Sequence, residues 1–143
     1  MGRRMSRGKS KGPQFKQIDK RKKVFKSSIE GRIPIKPISV NQCWQGRRFK
    51  TKTYKDFEVS CFSLLDKEQY ITLKGYLQIY LEFGFSSAAC DWDNPIKPFQ
   101  DILSKMYAFN DRRIMRAVVE KKIVKKGEEY IYFKLFKYTP IAE

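Results

Sequence analysis

The chain has 143 residues and a formal charge of +16, from 31 Lys and Arg against 15 Asp and Glu, with 41% hydrophobic and 15% aromatic residues. That is enough for one folded domain of ordinary size, too apolar for a wholly disordered chain, and without an uncharged run approaching the roughly eighteen residues that span a bilayer. Histidine is absent, which excludes an imidazole base, a His-ligated zinc and Ser-His or Cys-His catalysis.

Residues 1–26 hold eleven Lys or Arg against the single acid Asp19, with almost no apolar periodicity. They are expected to form a disordered basic arm, with the folded domain over 27–143. The stretch "IEGRIPIK" reads as a short strand for which Pro34 and Pro37 argue an edge position or an early end. A loop, "NQCWQGRRFKTK", follows. "TYKDFEVSCFSLL" places Tyr54, Phe57, Cys61, Leu64 and Leu65 on one helical face, with Thr53 and Asp56 in N-terminal capping positions. "LKGYLQIYLEF" puts Leu77, Ile79, Leu81 and Phe83 on one face of a half-buried strand.

The segment 90–106, "CDWDNPIKPFQDILSKM", predicts a helix capped by Asn94 with Pro95 at its first position. Ile96, Phe99, Ile102, Leu103 and Met106 then share an arc of about 120°, opposite Lys97 and Asp101. Beyond it, two strands joined around Lys126 and Gly127 alternate Ile131, Phe133 and Leu135 inward against Tyr130, Tyr132 and Lys134. The order strand, helix, strand, helix, strand, strand predicts an α+β domain with helices packed on a single mixed β-sheet.

Charge and cysteine usage narrow the partners. A field of this sign attracts polyanions, nucleic acid first and anionic membrane surfaces second. Cys43, Cys61 and Cys90 form no CxxC and are odd in number, which suits a reducing cytosol and small buried residues. A soluble, cytoplasmic protein is expected, nucleoid-associated in a cell or in the host cytoplasm for a virus, with no membrane partner.

Against this positive background Asp91, Asp93 and Asp101 fall within eleven positions. Carboxylates about 4 Å apart repel by roughly 1 kcal/mol in water and about 4 kcal/mol at intermediate dielectric, so something must neutralise them. Neighbouring Lys or Arg and the helix dipole are one answer. A hard divalent cation such as magnesium, paired with a phosphate substrate, is the other. Asp111 returns past the helix, where a short loop is expected to bring it to the same end of the sheet, with Arg112, Arg113 and Arg116 following.

"DWDNPIKPFQDIL" followed by "NDRRI" resembles the RusA family of Holliday junction resolvases, as does the earlier segment with Pro37, Asn41, Gly46, Arg47 and Arg48. The resemblance covers roughly residues 30–136 and departs from the family in Asn110, where an acidic pair is common, and in Cys90, where a basic residue often stands. It implies a RusA-like, magnesium-dependent homodimeric endonuclease that resolves four-way DNA junctions by paired symmetric nicks. Carried over, Asp91, Asp93 and Asp111 would be metal ligands and Lys97 a catalytic cation. Asn94 would orient a ligand or cap the helix, and Asp101 would support the ligands or pair with Lys97 one turn earlier. Arg47, Arg48, Lys50, Lys52, Arg112 and Arg113 are the expected DNA contacts, with Phe49 nearby and Trp44 expected in the core. The alternatives are a noncatalytic basic nucleic-acid-binding protein, or a nuclease of this kind acting on flaps or other branched DNA.

Overall fold

A computed structural model of the chain describes residues 24–26, 28–71 and 74–141. The expected basic arm lies outside them up to residue 23. Val24–Lys26, also assigned to the arm, form strand β1. The remaining elements are β2 (Ser28–Ile33), β3 (Trp44–Gln45), β4 (Phe49–Lys50), α1 (Lys52–Leu64), β5 (Gln69–Ile71), β6 (Leu77–Phe85), α2 (Ile96–Tyr107), β7 (Ile114–Ile123) and β8 (Tyr130–Lys137).

The main sheet has the order β2-β8-β6-β7. Only β6 and β7 run parallel, while β8 is antiparallel to both β6 and β2. A parallel neighbour requires a crossover, and α2 supplies it. As the prolines demand, β2 is an edge strand that stops before Pro34. The turn with Gly127 (φ 93°) carries the chain past β6, so β7 and β8 flank that strand instead of pairing with each other.

The expectation of one sheet is overturned. β1 and β5 form a separate two-stranded parallel sheet, and β3 and β4 a short antiparallel ribbon where a plain loop was expected. The backbone ladder does not continue from β2 to β5. What joins them is a side chain, Gln69 Nε2 donating to the Glu30 carbonyl at 3.2 Å, and such a bond leaves the two ladders independent. Gly46, with φ 67°, makes the ribbon's turn in a conformation that side-chain-bearing residues rarely adopt.

One core holds these elements. Leu77, Ile79, Leu81 and Phe83 of β6 and Ile131, Phe133 and Leu135 of β8 are at most 1% exposed, because a strand with neighbours on both sides buries every second side chain under the helices. From α2, Phe99 sets its ring edge-on against Phe83 (6.4 Å) and Phe133 (5.9 Å), with Ile102 and Leu103 fully buried beside it. Each such side chain contributes about 1.5–3 kcal/mol by leaving water. Gly31, paired with Phe133, keeps β2 close to that ring: a Cβ there would stand 3.0 Å from it. From α1, Tyr54, Phe57 and Cys61 are buried as the periodicity predicts, but Leu64 is exposed, because Leu65 takes the inward position in the extended chain after the helix. The cap is Thr51, whose hydroxyl accepts from the Tyr54 amide at 3.1 Å, and not Thr53.

Candidate active site

α2 organises the site. Its N-cap is Pro95, without a side-chain cap bond. Asn94 therefore does not cap the helix. Its side-chain amide turns back and donates to Asp91 Oδ2 at 3.5 Å, while its carbonyl accepts from the Val40 amide at 2.9 Å. The latter bond ties the helix start to the 3-10 turn Val40–Gln42. Asp91 and Asp93 are exposed in the turn ahead of α2, and the Asp93 carbonyl accepts from the Ile96 amide.

Parallel pairing decides where Asp111 goes. Asp91 and Asp93 follow the C-terminal end of β6 and Asp111 precedes the N-terminal end of β7, with α2, a helix about 18 Å long, running back between them. The helix ends at Ala108 in the left-handed conformation (φ 55°), which reverses the chain. Ser104 Oγ donates to the Phe109 carbonyl at 2.5 Å, and Asn110 Oδ1 accepts from the Arg112 amide to start the 3-10 turn Asp111–Arg113. Asp111 is thereby folded back against α2. Its Oδ2 accepts from Lys97 Nζ and from Gln100 Nε2, each at 3.2 Å.

Lys97 also reaches Asp101 Oδ1 at 2.9 Å, one turn along the helix. Its ammonium thus lies between two carboxylates. That contact holds Asp111 below the usual carboxylate range, and Asp101 first and Asp111 second raise Lys97. The structure therefore brings together Lys97, Asp101 and Asp111, and separately Asp91 with Asn94. Among the described residues no three His, Cys, Asp or Glu side chains form a group that could hold a metal ion. In donor chemistry the expected ligands do suit magnesium: Asp91, Asp93 and Asp111 offer carboxylate oxygens only, at the surface.

The basic residues divide by location. Arg47 and Arg48 are exposed at the turn of the ribbon, and Lys50 follows on β4. Lys52 is exposed and paired with Asp56 at 2.8 Å. Arg112 is exposed, whereas Arg113 Nε donates to the Gly75 carbonyl at 2.7 Å. Arg116 is engaged by Gln78, the Thr139 carbonyl and the Tyr138 ring. Trp44 is 41% exposed, with its ring edge on Tyr54, and Phe49 is 71% exposed. Trp44 is thus not core: its two-residue strand stands off the main sheet, which has no inner face to offer it.

A cleft of about 630 Å³ connects the ribbon to the helix. Trp44 and Lys50 border it on one side, Asp101, Lys105 and Asp111 on the other. Asp91 and Asn94 face a second concavity of about 270 Å³ with Cys90. Sequence reading missed three contributors: Gln100, Lys105 and Glu58, the last a nearly buried carboxylate on the inner face of α1. Its signal was available, since Glu58 interrupts an otherwise apolar face between Phe57 and Cys61. Burial pushes the thiols of Cys43 and Cys61 up to about 11 and about 12, so neither is a nucleophile near neutral pH. No helix is long and apolar enough to cross a membrane among the described residues. No protein-family model matches this chain, and no curated protein matches its sequence.

Proposed function

We propose that this chain is a magnesium-dependent, structure-specific DNA endonuclease that works as a homodimer on branched DNA and resolves four-way junctions by paired nicks. One arrangement carries the reading: the Lys97 ammonium between Asp101 and Asp111, in the first turn of a helix that Asp91 and Asp93 immediately precede. Asp91, Asp93 and Asp111 would hold the ion, which when bound supplies an activated water and neutralises charge at the scissile phosphate. Lys97 stabilises negative charge building on the phosphate oxygens, at a position preset by two carboxylates. Asp101 keeps it there, and Asn94 orients Asp91. Arg47, Arg48, Lys50, Lys52, Arg112 and Arg113 grip the backbone, and the exposed rings of Trp44 and Phe49 suit unpaired bases. Symmetric nicking of two strands requires two sites, hence two copies.

The test compares a labelled mobile four-way junction, a flap and a linear duplex, each with magnesium and with chelator. Paired nicks in the junction alone, in magnesium alone, are expected. Asp93→Asn should abolish nicking and preserve or tighten junction binding, because one repulsive charge is removed. A second reading, noncatalytic nucleic-acid binding, is favoured by Asp111 Oδ2 being already engaged by Lys97 and Gln100, as carboxylates serving only as charge partners would be. It predicts tight, salt-sensitive binding without product, which would refute the first.

A further inference from the structure

Glu58 lies on the face of α1 that enters the core, its side chain 11% exposed. A carboxylate so placed has to be paired. Lys50 of β4 donates to its Oε2 at 2.8 Å, and Lys105, in the third turn of α2, approaches the same oxygen at 3.5 Å. Two ammonium groups on one carboxylate leave one positive charge in excess. From Asp101, one turn earlier on α2, the balance is reversed, since Lys97 a further turn back stands between Asp101 and Asp111 and leaves one negative charge in excess. Lys50, Lys105, Asp101 and Asp111 all border the cleft of about 630 Å³. The cleft thus has a cationic end and an anionic end side by side. Lys50 is further restrained by lying 5.2 Å over the Tyr54 ring, next to the exposed Trp44.

We infer that Lys50 and Lys105, clamped by Glu58, form a subsite for one backbone phosphate of a nucleic acid. A phosphodiester carries the single negative charge that the cationic end lacks, and its neighbouring base would meet Trp44. Glu58 acts as a positioning residue that brings the ribbon lysine and the helix lysine to one point. The anionic end, one helical turn away, stays free for a cation. This subsite rests on the nucleic-acid reading above but not on catalysis.

The test is binding of the full chain to a labelled four-way junction in chelator, at several salt concentrations. Lys105→Gln should weaken binding by about three- to tenfold and make the slope of log affinity against log salt shallower by about 0.9, the value of one phosphate contact. Glu58→Gln should tighten binding several-fold, since the amide oxygen still accepts from both lysines while the excess positive charge doubles. Lys125→Gln, the same charge loss in the turn before β8, should change affinity by less than about twofold, its charge being in the screened surroundings. The proposal is overturned if Lys105→Gln behaves like Lys125→Gln, if folded Glu58→Gln binds more weakly, or if the wild type does not bind. Should Glu58→Gln fail to fold, Lys105→Gln decides alone, because Lys105 is 56% exposed and its loss spares the core. A Lys105 effect in a protein that never cleaves would sink the nuclease reading and keep the subsite. Cleavage with Lys105 silent would do the opposite.

Discussion

Lys97→Met separates a structural from a catalytic role for the central ammonium. The side chain is 62% exposed, and both ion pairs lie at the surface. Exposed pairs contribute about 0.2–1 kcal/mol each. Their loss leaves Asp101 and Asp111 facing one another with carboxylate oxygens at most about 6 Å apart, a repulsion of about 0.7 kcal/mol in water. The fold should therefore lose about 1–3 kcal/mol, read as a shift in the urea midpoint with unchanged slope. Removal of a preorganised cation from a phosphoryl transition state costs more, about 2.7–4 kcal/mol, or a hundred- to thousandfold in rate. Single-turnover nicking of a four-way junction in magnesium measures this, at a temperature where the variant is fully folded. The reasoning fails if the rate falls less than tenfold, or if the variant loses more than about 3 kcal/mol of stability, which would make Lys97 a structural clamp.

Three further outcomes follow from the same geometry. Because pairing with Lys97 depresses Asp111, its stabilising contribution is present above the ordinary carboxylate value of 3.8 and is lost as pH falls through the lower folded-state value. The unfolding free energies of wild type and Asp111→Asn, separated by less than about 1 kcal/mol at pH 7, should converge as pH falls below the ordinary carboxylate value, and a constant gap would deny the pairing. Gly84→Ala would drive a Cβ into the ring of Tyr130, its partner on β8, and should cost about 1–3 kcal/mol; a neutral result would show that the ring yields freely. Phe49→Ala, at a side chain 71% exposed, should leave stability within about 0.5 kcal/mol but lower junction affinity by about 1 kcal/mol or more if the ring stacks on a base; unchanged affinity would remove it from the interface.

Local pattern carried much of the secondary structure. Alternation in 77–83, the apolar arc of 96–106 and the prolines after Ile33 each depend on a residue and its near neighbours, so β6, α2 and the end of β2 were legible from them. The polar face of α2 was legible for the same reason: a lysine and an aspartate four positions apart must be neighbours on a helix, as Lys97 and Asp101 are. What short-range pattern does not encode is which strands pair and in which direction. Parallel pairing of β6 with β7 required α2 as a crossover, and the left-handed Ala108 then turned the chain so that Asp111 meets Lys97. The break between the main sheet and the β1–β5 pair, and the meeting of Lys50, Glu58 and Lys105 from three separate elements, likewise arise only from tertiary contact. Composition and spacing determined the charge, the helix faces and the candidate carboxylates of this protein. Packing decided which of them share a cleft, because distance between residues remote in sequence is set by how the faces bury one another.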